Sequence, residues 1–356
     1  MVTSTPISGH TKYTFQQQFF ELCQNSNSDD VADKYGEGAL IKNLQEELSR
    51  LFGKESSLFM PSGTMAQQIA LRIWTERTHH FQVGLHETSH LLQHEHMGLF
   101  HLHGLSHTLL GSADRTLSAK DVEVAWQEQK FAAMIIELPQ RHNGGMLPSW
   151  DELTAISDFC RKNQIKIHLD GARLWECRPY YQRSYQDICG LFDSVYTSFY
   201  KGLDAMTGAM LSGSQGFIDE ASVWLRRHGG NLYTQTPYVL SAYLGLKKHL
   251  ELFPKYYEKT LEIASIINSC QNFYTAPKVP HCNMFHLGFN NADKIKDRFA
   301  LAEKLTAERY EICFGSLIWE RAFSNAPISE VYIGESAMNL SPARLKEAIT
   351  YFDQQL

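Results

Sequence analysis

The feature that most constrains this 356-residue chain is a repeated alternation: short apolar runs that stop on a polar residue are each followed by a stretch with helical spacing. Such alternation predicts an α/β fold around a mainly parallel sheet. Apolar residues recur at helical spacing from Ala39 to Leu51 (Leu40, Ile41, Leu44, Leu48, Leu51), and Gly53 follows as a C-cap. Ser57 to Met60 reads as a strand, and Pro61-Ser62-Gly63-Thr64 turns from it into a helix through Arg72. Phe131 to Leu138 is a strand with a continuous apolar run at Met134, Ile135 and Ile136. A helix is predicted over Trp150 to Lys162 with Ser149 as N-cap. Strands follow from Ile165 to Leu169, ending at Asp170, and from Ser194 to Phe199, ending at Lys201. A helix over Tyr238 to Leu252 then connects to a strand near Asn283 to Phe289 and a helix near Pro342 to Phe352. The expectation is a large domain over 1–245 and a small C-terminal α+β domain over 246–356.

Charge narrows the function. The formal net charge is -6, and no basic run exceeds Arg226-Arg227 or Lys247-Lys248. Nucleic-acid and anionic-membrane partners, which favour a basic stripe, are therefore not expected. Seven Cys are scattered without a CxxC pair, the usage of a reducing compartment. The polar N-terminus shows no leader pattern and no apolar run reaches spanning length, so the cytoplasm is expected.

Open α/β sheets bind ligands at the carboxyl ends of their strands. Three groups fall there. Gly63 and Thr64 open a helix whose free N–H groups suit an anion, although such a turn is often only a capped helix start. Asp170, within His168-Leu169-Asp170-Gly171-Ala172-Arg173, ends an apolar strand; the plainer role for such a residue is an N-cap, and for Arg173 a surface ion pair. Lys201, just before Gly202, also ends an apolar strand, where desolvation would make its amine a nucleophile. A solvated loop is the ordinary reading of one lysine, but three such features in order weaken it.

These stretches resemble the threonine aldolase and β-eliminating lyase family of pyridoxal 5'-phosphate (PLP) enzymes. The resemblance runs from about Tyr35 to Gly230. Tyr35-Gly36-Glu37-Gly38, Phe59 to Met65, Gly144-Gly145-Met146-Leu147-Pro148, His168 to Arg173 and Lys201-Gly202-Leu203 carry it. It implies the fold type I architecture of PLP-dependent transferases. It makes Lys201 the Schiff-base lysine, Asp170 the partner of the pyridine nitrogen, and Gly63 and Thr64 binders of the phosphate. Arg173 would hold the substrate carboxylate or the cofactor's phenolic oxygen. A histidine stacked on the ring carries over to His90, five residues before Glu95, with His86 as competitor. The family's homodimers or homotetramers share active sites, so Tyr35 would serve a neighbouring chain. The partner implied is a small-molecule amino-acid substrate.

The pattern departs from the family at the substrate side. Gln140 stands where threonine aldolases carry a histidine linked to the substrate's β-hydroxyl, and an amide is a poor general base. No second carboxylate-binding Arg is evident between Pro327 and Leu340, Leu232-Tyr233 replaces an expected Met-Arg, and Tyr200 replaces Ser before the lysine. The N-terminal Arg-Ser-Asp is absent, with Ser8-Gly9-His10 in its place. Gln140 and Ser8 are thus taken as substrate-side residues. Retro-aldol cleavage of a β-hydroxy-α-amino acid to glycine and an aldehyde is the expected reaction. The base is His90 or a bound water. β-Elimination or another PLP reaction, a non-catalytic relative, and a metal hydrolase using the histidines from His86 to His107 stay as alternatives. In that stretch His90 and His94 are spaced for one helix face, but no HExxH order or Cys partner accompanies them, and no metal is expected. Leu91, Leu92, Leu99, Leu102 and Leu105 there read as core.

Overall fold

The computed structural model describes residues 4–27, 31–290, 292–315 and 327–356. The chain divides into two compact units, one of Tyr13–Leu138 with Pro148–Glu251, the other of Met1–Lys12, Pro139–Leu147 and Leu252–Leu356.

The larger unit is built on a seven-stranded sheet. Its strands are β1 (Ser56–Met60), β2 (Gln82–His86), β3 (Ser106–Leu110), β4 (Ala133–Glu137), β5 (Lys166–Gly171), β6 (Ser194–Ser198) and β7 (Ala209–Gly213). They lie in the order β1-β7-β6-β5-β4-β2-β3. From β6 to β3 every pairing is parallel, whereas β7 runs antiparallel to both β6 and β1. One reversed strand in a mainly parallel sheet matches the expected α/β class. The central strands β2, β5, β6 and β7 are almost wholly buried, as apolar runs covered on both faces must be.

Local chemistry sets the long helices, α1 (Phe15–Gln24), α2 (Ala39–Phe52), α3 (Gly63–Thr78), α4 (Ala119–Glu128), α5 (Trp150–Lys162), α6 (Gln215–Arg227) and α7 (Thr236–His249). In α2, Ile41, Leu44, Leu48 and Phe52 face inward at helical spacing, and Gly53 closes it in the left-handed region at φ 63°. Each such side chain contributes about 1.5–3 kcal/mol by leaving water. Ser149 caps α5 by accepting from Glu152 N, with Asp151 and Glu152 in the first turn and Arg161 and Lys162 in the last, each favoured by the helix dipole. The helix expected over Tyr238 to Leu252 ends as α-helix at His249 and tightens into a 3-10 turn over Leu250–Leu252. Pro254 lacks an N–H to continue the ladder and instead starts the next helix.

The smaller unit holds a three-stranded antiparallel sheet of β8 (Phe273–Ala276), β9 (Met284–Phe289) and β10 (Ser329–Tyr332), with β9 central. Its helices are α8 (Phe253–Ile267), α9 (Ala292–Tyr310) and α10 (Pro342–Gln355). The N-terminal Thr5–Pro6 pairs parallel with Ile312–Cys313, and Ile7 is fully buried in this unit's core. The Gly144-Gly145 turn also belongs here. Both residues have positive φ, and a Cβ on Gly144 would meet the Ala276 carbonyl oxygen at 2.0 Å, so this loop needs glycine to lie on β8. Among the described residues no helix is long and apolar enough to cross a membrane.

Candidate active site

β5 and β6 run side by side with Asp170 opposite Tyr196, so the residues that end these strands emerge together. Phe199 anchors the end of β6: it is fully buried, stacks on Phe59 at 6.0 Å and packs near Trp175 at 6.4 Å. The backbone then bends back into β7, with Phe199 N donating to Gly208 O and Asp204 N to Lys201 O. Lys201 is presented at the head of that bend and is part-buried. The end of β5 is clasped to β6. Ser198 Oγ donates to Ala172 O at 2.7 Å, and Trp175 Nε1 donates to Ser198 O at 3.0 Å.

Asp170 is 2% exposed, and one carboxylate oxygen accepts from Ala172 N at 3.1 Å. Burial pushes its carboxyl up, while the charges of Lys201 and then His90 oppose that. His90 sits on a four-residue helix, His90–Gln93, and its Nδ1 lies 3.0 Å from Glu95 Oε1. Burial works against charge on His90, but the bond to Glu95, the field of Asp170 and the charge of Glu95 outweigh it and Lys201, so the imidazole stays protonated to higher pH than usual. Glu95 is itself buried, and Gln68 Nε2 donates to its other oxygen at 2.9 Å. Nδ1 is thereby committed as donor to Glu95, which leaves Nε2 as the proton-exchanging atom. Arg173 Nη1 lies 3.4 Å from the buried Glu176. The cluster thus sets Lys201, Arg173 and protonated His90 against Asp170, Glu95 and Glu176.

The competing His86 ends β2, buried, with Nδ1 against Thr88 Oγ1 at 2.8 Å. Burial lowers its pKa, opposed by the Ser112 and Arg115 backbone and by the charges of Glu87 and Asp121. Asp170 is among the charges that act on His90, and Glu87 and Asp121 are among those that act on His86. Neighbouring His94 is the cap of the short helix, its ring 5.0 Å from that of His90. Among the described residues no group of three or more His, Cys, Asp and Glu could hold a metal ion. One expectation for this stretch is corrected: Leu102 is 66% exposed. Left-handed residues at Met97 and Gly104 confine Gly98–His103 to six residues, whose Leu99 and His103 turn inward and whose Leu102 turns out.

Gly63 is the first residue of α3, with Ser62 as its cap accepting from Met65 N. A Cβ there would meet Tyr196 Oη at 1.9 Å and Cζ at 2.5 Å. Tyr196 is 1% exposed, so its ring cannot yield. Gly63→Ala is expected to destabilise the cofactor-free protein by about 2 kcal/mol, the cost of overpacking. Urea unfolding checks this, and an unchanged midpoint would refute it. Thr64, next on the helix, keeps an N–H without a helical partner.

Gln140 and Ser8 lie in the smaller unit. Gln140 is buried, its Oε1 accepting from Asn143 Nδ2 at 3.1 Å within the Pro139–Leu147 loop. Ser8 Oγ accepts from Tyr332 N at 3.0 Å. In the larger unit Tyr35 is 56% exposed with φ 55°, its N–H bonded to Tyr233 O. Asp33 supports that turn by accepting from Gly36 N, Gln235 N, Thr236 N and the hydroxyls of Thr234 and Thr236. Tyr196 and Gln68 carry no signal in the sequence, because their partners Gly63 and Glu95 are distant in the chain.

A mainly parallel sheet with one reversed strand beside this cluster, plus a small antiparallel unit, is the architecture of fold type I PLP enzymes. The chain belongs to the beta-eliminating lyase family, whose model matches residues 20–288. A Listeria monocytogenes structure provisionally assigned as an L-allo-threonine aldolase is 37% identical, covering 100% of this chain and 97% of that one at TM-score 0.94. One from Exiguobacterium, provisionally assigned as an aromatic amino acid beta-eliminating lyase/threonine aldolase, is 34% identical over 100% and 98% at TM-score 0.93. The low-specificity L-threonine aldolase 1 of Arabidopsis thaliana is 24% identical over 292 residues, 80% of this chain and 79% of that enzyme.

Proposed function

We propose that this protein is a PLP-dependent aldolase that cleaves a threonine-like β-hydroxy-α-amino acid to glycine and an aldehyde. The observation that carries the reading is Asp170, buried between the charges of Lys201 and His90 at the carboxyl ends of a parallel sheet. Its relatives' assignments as threonine aldolases support the substrate class. The donor set fits the cofactor: an amine, a buried carboxylate, an imidazole, and a helix start with free N–H groups. Bound PLP supplies an electron sink for the pair released at the substrate's α-carbon.

The chain's own residues supply the rest. Lys201 would hold the cofactor aldehyde through its Nζ. Asp170 keeps the ring nitrogen protonated, which a buried carboxylate facing a cation does well. Gly63 and Thr64 N–H groups take the phosphate at the positive end of α3. Arg173 pairs with the substrate carboxylate and so fixes which bond at Cα is cleaved. His90, its Nδ1 held by Glu95, would lie against the ring and exchange a proton at Nε2. Gln140 and Ser8 remain substrate-side candidates. The active form is a homodimer or homotetramer in which Tyr35 reaches a neighbour's phosphate, and the setting is the cytoplasm.

Purified protein given PLP should convert L-threonine, L-allo-threonine or phenylserine to equimolar glycine and aldehyde. Release of only ammonia and a keto acid from cysteine-like substrates would replace the aldolase reading with β-elimination.

A further inference from the structure

Two tyrosine hydroxyls stand at the start of α3. Tyr196 Oη abuts Gly63, since it lies 1.9 Å from where a Cβ on that residue would sit. Tyr200 Oη is 3.4 Å from Tyr196 Oη. Tyr196 is 1% exposed, whereas Tyr200 is 39% exposed. Ser62 occupies the Met65 N–H, so the Gly63 and Thr64 N–H groups lie beside this pair.

Building on the cofactor reading, we propose that Tyr196 and Tyr200 form a hydroxyl chain in which Tyr196 donates to Tyr200 and Tyr200 donates to the cofactor's phosphate. Tyr200 is then a further cofactor-binding residue, and Tyr196 a positioning residue behind it.

The direction of the chain follows from burial. A phenol as enclosed as Tyr196 must give its proton to an acceptor, and the Tyr200 oxygen is beside it. Burial holds both phenols well above their ordinary pKa, with Asp170 and Glu95 adding to it, so both remain donors at neutral pH. Tyr200, having accepted, keeps its own O–H free to donate. A chain of this kind is polarised, and its terminal donor is strengthened toward an anion. The same two carboxylates disfavour a free anion nearby; Arg173 and the α3 terminus oppose them.

The test compares PLP with pyridoxal, which lacks the phosphate. Cofactor-stripped wild type, Tyr200→Phe and Tyr196→Phe are titrated with each, and Kd is read from visible absorption. Tyr200→Phe should weaken PLP about tenfold, the scale of one hydrogen bond to a charged group, and leave pyridoxal unchanged. Tyr196→Phe should show a smaller loss of the same selectivity. Equal losses for both ligands, or none for either, would overturn the proposal while leaving the cofactor reading in place. Wild type that binds neither ligand would instead sink the cofactor reading.

Discussion

Lys201→Ala is expected to cut turnover at least a thousandfold, roughly 4 kcal/mol of transition-state stabilisation, and to remove the visible band that the covalent lysine link gives the loaded protein. The bend that presents Lys201 is held by Phe199 and by backbone bonds to Gly208, so the truncation leaves the fold intact. The helix start, Asp170 and Arg173 all persist in the variant. PLP should therefore still bind, weakly and without a covalent link, and small primary amines should restore part of the turnover. Steady-state rates with and without added amine, beside absorption spectra, make the check. Wild-type turnover in the variant would refute the assignment of Lys201 outright.

Asp170→Asn carries the second largest effect. The amide keeps the shape of the carboxyl and its bond from Ala172 N, but it cannot hold a proton on the facing ring nitrogen. Turnover should fall by about 100- to 1000-fold, in the range of lost preorganised charge. Stability should move little. Burial raises the Asp170 pKa, so its ionised form costs stability above that pKa, and the neutral amide relieves the cost while leaving Lys201 and His90 less balanced. The two changes oppose, and the cofactor-free variant should unfold within about 1 kcal/mol of wild type. A large loss of stability together with wild-type turnover would mean that Asp170 is a purely structural residue.

The strand ends that carry Asp170 and Lys201 were legible because both lessons are local: an apolar run stops at a polar residue. The limits of α5 were legible for the same reason, since Ser149 and the charges of its first and last turns act within a few residues. β3 was not, because four of its five residues, Ser106 to Leu109, are part-buried or exposed and only Leu110 is buried, so no apolar run marks it. Strand direction is also silent in a sequence, so the reversal of β7 emerged only from pairing. His90 was readable through its five-residue spacing to Glu95, but choosing it over His86 needed the environment of each ring. Tyr196 shows the sharpest limit. The glycine that makes room for it lies at position 63, and no local pattern links the two. Leu102 failed by a short helix, whose two left-handed ends reset the facing of its side chains.

The clasp between β5 and β6 bears on how the protein becomes loaded. Ser198 and Trp175, both fully buried, tie the two strand ends by bonds to the chain's own carbonyl oxygens. The separation of the carboxylate and the amine is then set by bonds within the chain itself. Ligand capture becomes a docking into a socket already shaped, with little chain entropy to surrender. Loading should accordingly proceed in one kinetic phase whose rate rises with ligand concentration, and amide exchange along β5 and β6 should be slow before the ligand arrives as well as after.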